Sequence, residues 1–246
     1  MIALGSFSRR STETEIIDDM SIEQDVMAEV LGDLSVINRY LGGYTTTLEA
    51  LPALLPRGVT SVRLLDVGAG GGDMARALVD WGRSRGVRIE VVAVDLSHSA
   101  ARYAYDQVRD YPEISVVQGD VLALPFLADS FDAVLCALFL HHFEQHAAAR
   151  LLCAMHDVSR HGVIVNDLHR HPLAYAGIWA LTRLLGATPI VRNDGPISVL
   201  RAFDRRDFDE LARQTGLKLM VRWRWAFRYQ VLIPKRVAGL GELHDV

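Results

Sequence analysis

The period of apolar positions changes several times along this chain. Ile22, Val26, Val30, Leu34 and Ile37 recur at helical spacing, and Ser21 with Gln24 has the form of a capping box that would open that helix. Gly42-Gly43 would end it. A second helical stretch reaches about Leu55, disturbed by Pro52, before the turn Pro56-Arg57-Gly58. From Val62 short β-branched runs alternate with helical segments: strand 62–67, helix 72–84, strand 89–95, helix 98–109 and strand 114–118. Strand 131–136, helix 143–157 and strand 161–166 continue the series. Such alternation predicts an α/β fold with a parallel sheet covered by helices on both faces. Residues 168–202 break the rhythm, and a helix over 204–215, capped at Phe203-Asp204, restores it. The last two runs, 217–225 and 227–233, follow each other too closely for a crossover helix, so they pair as a hairpin.

Inside the interruption, residues 172–186 carry only Thr182 and Arg183 as clearly polar side chains. A helix apolar on nearly every side is expected to be buried. Together with helix 22–41 it is expected to cap a pocket for a small-molecule acceptor. Trp179 would offer a flat face there. A homodimer interface or plain core packing would use the same apolar surface. Residues 1–20 read as a mobile, charged arm. The expected organisation is an arm with cap helices over 1–58 and a sheet domain over 59–246, with the cap insert at 168–202.

With 246 residues, half of them hydrophobic, the chain can bury a core as one domain with decoration. A net charge of −4 and a pI near 6.1 argue against a nucleic-acid partner. The charge is uneven. Residues 13–33 are acid-rich, whereas Lys218, Arg222, Arg224, Arg228, Lys235 and Arg236 cluster at the hairpin, where alternation makes them a solvated sheet face. Cys136 and Cys153 lie in apolar patterns and read as buried free thiols of a reducing compartment. The chain shows neither the apolar core of a signal peptide nor a membrane-spanning run, so a cytoplasmic protein without stable membrane insertion is expected.

The chemistry concentrates at "LLDVGAGGGDMARAL", residues 64–78, which packs four glycines into five positions behind a strand. In an open parallel sheet, ligands bind outside the carboxyl ends of strands, and glycine lets a ligand touch the main chain. The following helix offers unpaired N–H groups. Such a turn alone is a weak signal, but its companions sharpen it. Asp95 closes the second strand in "VVAVDLS", where a carboxylate can hold both ribose hydroxyls. Asp120 in "VVQGDVLALPF" follows the third strand, within plausible reach of an adenine amino group. Asp66 stands just before the glycines, where it would repel a phosphate and welcome a cationic amino acid. The set suggests adenosine joined to an amino acid.

In "LLDVGAGGG", "VVAVDLS", "VVQGDVLALPFLADSFDAVLC" and the terminal hairpin, the chain resembles the class I S-adenosylmethionine-dependent methyltransferases over most of residues 62–233. The resemblance implies a seven-stranded Rossmann-like sheet whose last, antiparallel strand is inserted between the fifth and sixth. It implies S-adenosyl-L-methionine as cofactor. Asp66, Gly68 and Gly70 would line its methionine end, Asp95 and Leu96 its ribose, and Asp120 with Val121 its adenine, with Ala137 also lining the site. "LPFLADSFD" and "FLHHF" are most similar to the branch that includes quinone-biosynthesis and natural-product methyltransferases, a setting of secondary metabolism.

Methyl transfer to oxygen needs alignment and a place for a proton. Seven of the nine histidines lie between residues 141 and 171, at the ends of strands four and five. His141 is the first candidate for a general base and His169 the second, with His142, Trp179 and Tyr44 expected at the acceptor. His142 and His146 are four apart, as zinc-binding helices require, but no third ligand is evident and no metal is expected. The expected activity is methylation, most simply at oxygen, of a small and largely apolar acceptor. The competing readings are a non-catalytic S-adenosylmethionine-binding protein and a nicotinamide-dependent oxidoreductase, since Asp95 also fits a dinucleotide's ribose.

Overall fold

The computed structural model describes residues 7–235. Among them seven strands form one sheet: β1 (Ser61–Val67), β2 (Arg88–Asp95), β3 (Ile114–Gln118), β4 (Ala133–Ala137), β5 (Gly162–Leu168), β6 (Met220–Arg224) and β7 (Arg228–Pro234). Their order is β3-β2-β1-β4-β5-β7-β6. The first five are mutually parallel, and β7 runs antiparallel between β5 and β6. The helices are α1 (Gln24–Tyr40), α2 (Gly43–Ala50), α3 (Asp73–Arg83), α4 (His98–Gln107), α5 (Gln145–Val158), α6 (Pro172–Leu184), α7 (Pro189–Arg201) and α8 (Arg205–Thr215).

Alternation within the strands splits the core into two layers. Leu65, Val67, Val134, Cys136 and Val165 face α5 and α8, where Phe203 and Phe208 fill the space. Leu64, Val91, Leu135 and Ile164 face the opposite way, against Leu78 of α3 and Leu51 beside α2. Strands buried on both faces read as continuous apolar runs, as β4 does. Asp204 and Asp207 form a reciprocal capping box that starts α8 where the sequence placed it. Both cysteines are free, Cys136 buried and Cys153 partly so. Among the described residues no helix is long and apolar enough to cross a membrane.

Four sequence expectations are corrected. The capping box at Ser21 does not form. Ser21 donates to Asp19 in a local turn, and α1 starts behind Glu23 without a side-chain cap. Residues 1–6 of the expected arm lie outside the described residues, but residues 7–20 are a docked strap rather than a mobile arm. Ser11 N–H donates to Leu200 O, and the Ile16 and Ile17 N–H groups donate to the Asp194 carboxylate of α7.

The apolar helix expected over 172–186 exists as α6, yet it lies on the surface: Trp179 is 47% and Leu184 84% exposed, and Thr182 is its one buried residue. The physical reason is α7, which the sequence left unread because Asn193, Asp194, Gly195 and Pro196 erase any helical period. Helix α7 carries the buried residues Val191, Ile197 and Leu200, and α6 packs against it as an outer layer. Finally, the hairpin's basic residues do not all face water. Arg228 is fully buried and donates to Leu41 O and Asn38 Oδ1, which fastens β7 to the end of α1. Arg236 lies outside the described residues.

Candidate active site

β1 delivers Asp66 to the carboxyl edge of the sheet, and the chain then turns through Gly68–Gly72 into α3. Gly68 and Gly70 have φ of +70° and +51°, a region that side chains disfavour. A Cβ on Gly68 would stand 2.2 Å from the Phe139 ring. The Gly68 and Ala69 N–H groups donate to Val94 O, so the turn is tied to the end of β2. There Asp95 accepts from Gly70 N–H at 2.8 Å and from Ser97 N–H at 2.9 Å. Leu96 beside it is exposed. Past β3, Asp120 is exposed and caps the short turn Val121–Ala123 through Leu122 N–H, placing Val121 in the core. Ala137 closes β4 opposite Asn166 of β5. All eight residues expected at a cofactor therefore meet at the carboxyl edge of β1–β4.

The charge of this edge is unbalanced. Asp66 is 1% exposed, and its Oδ2 has no hydrogen-bond partner among the described residues. Burial, then the nearby Asp73 and Asp95 carboxylates, push its carboxyl up to about 8. Burial also raises Asp95. Tyr44 donates to Asp73 Oδ2 at 2.7 Å, so it orders this acidic edge. A cationic ligand would satisfy the orphaned oxygen and relieve the mutual repulsion.

A second cluster stands beside it, on the turn Leu140–His142 that follows β4. His141 is buried, and Asp167 of β5 grips it twice: Oδ1 lies 2.7 Å from Nδ1, and Oδ2 accepts the His141 N–H at 2.9 Å. Burial pushes Asp167 up, but the charge and hydrogen bond of His141 outweigh it and hold the carboxyl below its ordinary value. His141 Nε2 faces Glu15 Oε1 of the strap at 3.6 Å. The His142 ring lies 4.4 Å away, tilted by 31°, with its Nδ1 held by Asp18 Oδ1 at 2.7 Å.

Two arginines brace the turn. Arg201 of α7 donates to the His141 and His142 carbonyls and reaches Asp18. Arg10 donates to the His141, Phe143 and Arg201 carbonyls while its guanidinium lies over the Phe203 ring at 3.8 Å. Phe139 links the two clusters, since it packs on Gly68 and lies 5.8 Å from the His142 ring.

The structure does not bring every expected residue here. His169 sits among Tyr229, His171 and Phe227, with Nδ1 unpartnered among the described residues. Burial, then His171, lowers its pKa. Trp179 lies under the Arg183 guanidinium in a surface groove with Tyr175 and Pro196, on the outer side of α7. His142 and His146 share no helix, because the first belongs to the turn and the second opens α5. Conversely, sequence reading missed Glu15, Asp18, Arg10 and Arg201. The acid-rich stretch contained the first two, but the strap has no period that would place them.

Residues 64–162 match a family model described as a methyltransferase domain. That match falls on the glycine turn, the strand-end acids and the histidine turn, within a sheet whose antiparallel β7 stands between β5 and β6. Residues 64–162 are thus similar to the methyltransferase domain of class I S-adenosylmethionine-dependent enzymes.

A demethylmenaquinone methyltransferase of a Roseiflexus species is 35% identical to this chain over 139 residues, 52% of this chain and 56% of that protein. A ubiquinone biosynthesis O-methyltransferase of Alkalilimnicola ehrlichii is 33% identical over 134 residues, 53% of this chain and 49% of its own. The matches thus span about half the length of these relatives. Human N-acetylserotonin methyltransferase, solved in complex with S-adenosylmethionine, shares the fold with a TM-score of 0.62 at 16% identity, over 87% of this chain and 57% of that one. The cofactor of this domain type is S-adenosyl-L-methionine. That molecule carries two positively charged groups, a sulfonium and an amino group.

Proposed function

We propose that this protein methylates a small, quinone-type or related aromatic acceptor, at oxygen. The observation that carries the reading is the buried, unpartnered Asp66 oxygen within an acidic edge, beside a histidine already oriented by a carboxylate. Asp66 with Gly68 and Gly70 would hold the cofactor's amino-acid end, Asp95 and Leu96 its ribose, and Asp120 with Val121 its adenine. When bound, S-adenosylmethionine supplies a methyl group activated by its positive sulfur, which departs as a neutral thioether once the acceptor oxygen takes the methyl.

The chain's own part is to place that oxygen and receive its proton. His141 suits the second task. Asp167 fixes Nδ1 as the protonated nitrogen, leaving the Nε2 lone pair for the acceptor hydroxyl, and stabilises the imidazolium that results. Glu15 now stands in front of Nε2, so the strap must yield or share that position when an acceptor enters.

Quinone-type acceptors are favoured by the demethylmenaquinone and ubiquinone-biosynthesis relatives, and oxygen by the His141–Asp167 pair. The nicotinamide reading loses support to the inserted antiparallel β7, which an all-parallel dinucleotide fold does not have. Titration calorimetry with S-adenosylmethionine, followed by labelled-methyl transfer to a panel of phenols and hydroxyquinols, tests the reading. Binding without transfer to any acceptor would favour a cofactor-binding protein instead. Absence of binding would overturn the proposal altogether.

A further inference from the structure

We infer that Glu15, His141 and His142 form a binding site for one divalent transition-metal ion of the zinc class. One nitrogen from each ring and one Glu15 oxygen lie within 4.8 Å of one another. Glu15 Oε1 is 3.6 Å from His141 Nε2 and 4.0 Å from His142 Nδ1. Two ligands held ~2.1 Å from one tetrahedral ion stand roughly 3.4 Å apart, so small side-chain movements would close the shell.

Two independent features point to an ion rather than to a chance meeting of side chains. Glu15 Oε1 is a buried carboxylate oxygen with no hydrogen-bond partner among the described residues, although its twin Oε2 is held by the Ser198 hydroxyl at 2.6 Å. His141 also presents Nδ1 to a carboxylate, Asp167 at 2.7 Å, while its Nε2 faces Glu15. Metal-ligating histidines are oriented in this way, by a carboxylate on the nitrogen that does not bind the metal. Ligation through His141 Nε2 would leave its bond to Asp167 intact, whereas His142 turns toward Glu15 the Nδ1 that Asp18 holds and would exchange Asp18 for the ion.

The local charge permits a cation. Glu15, Asp18 and Asp167 face Arg10 and Arg201, three carboxylates against two guanidiniums, with Arg201 Nε 3.6 Å from Glu15 Oε1. Two imidazoles and one carboxylate suit zinc, and such a set leaves a coordination position open. An acceptor oxygen could fill it. That role rests on the proposed methyltransferase reading, whereas occupancy of the site does not. Because an ion would take the Nε2 lone pair of His141, metal ligation and proton acceptance by His141 exclude one another in any one molecule.

Metal-stripped full-length protein is titrated with Zn²⁺ against a chromophoric chelator, and with Co²⁺ while visible absorption is followed. The expected result is one ion per chain and the intense bands of a four-coordinate cobalt site. Glu15→Gln should abolish those bands, and Asp167→Asn should weaken affinity about 10–100-fold. His146→Ala, which alters an exposed histidine, should change nothing. Thermal melts without metal check that each variant is folded. Failure of the wild-type protein to bind stoichiometrically overturns the inference, as does cobalt binding that survives Glu15→Gln but is lost in His146→Ala. Cofactor binding without metal binding would leave the methyltransferase reading standing and sink only this one.

Discussion

At the scale of single residues, the site is governed by carboxylates whose neighbours differ. Asp95 already accepts two backbone N–H groups, so it is pinned at the end of β2 with its remaining lone pairs able to receive ribose hydroxyls. If Asp95 holds the ribose as proposed, replacing it by Ala removes two charge-assisted hydrogen bonds, each worth about 1.5–3 kcal/mol. Calorimetry should show S-adenosylmethionine affinity reduced at least tenfold in a folded protein; unchanged affinity would remove Asp95 from the ribose. Asp167 instead serves a histidine. In metal-free buffer, His141→Ala should keep cofactor binding and lower turnover about 10²–10⁴-fold. The deficit should shrink at high pH, where the acceptor ionises unaided. A deficit equal at every pH would mean that His141 positions rather than accepts.

At the scale of elements, legibility followed periodicity. Every strand, and the helices α3, α4, α5 and α8, announced themselves through alternation or a helical stripe, and the strand-end acids came with them because β1, β2 and β3 end where their apolar runs end. Helix α7 and the strap have no such signal. Proline, glycine and buried Asp194 sit inside α7, and the strap is held by individual polar bonds that no spacing encodes. That is also why α6 was misjudged: its apolar composition described the residue types, whereas the packing partner that decides burial was invisible.

Trp179 is therefore expected to matter less to acceptor use than a cap residue would, and Trp179→Ala should leave the specificity constant within about threefold, within the effect of a surface change. A loss of tenfold or more would bring the α6 groove into the acceptor path. The strap makes the opposite prediction. Arg10→Ala removes a donor from three carbonyl oxygens, of which His141 O keeps Arg201, and strips Phe203 of its guanidinium, so urea unfolding should report about 2–4 kcal/mol lost. A loss under about 0.5 kcal/mol would mean that the strap is not part of the cooperative fold.

At the scale of the whole molecule, two buried carboxyls tie folding and ligand binding to pH. Burial raises Glu15 from 4.5 to about 7, and burial with neighbouring acids raises Asp66 from 3.8 to about 8. Each holds its proton more tightly folded than unfolded. Their contribution to stability is thus fully present below the unfolded values, near pH 4, and is lost as pH rises through about 7 and about 8. A cation beside Asp66 reverses the preference at that residue by favouring its charged form. S-adenosylmethionine binding should then expel a proton below about pH 8, and affinity should climb with pH by up to about tenfold per unit before levelling. Calorimetry in two buffers of different ionisation enthalpy measures the proton released. Asp66→Asn has no proton to lose, so its affinity should be lower and nearly flat over the same range. A wild-type affinity that does not vary with pH, or a slope that persists in Asp66→Asn, would mean that the cofactor's positive end does not rest on Asp66.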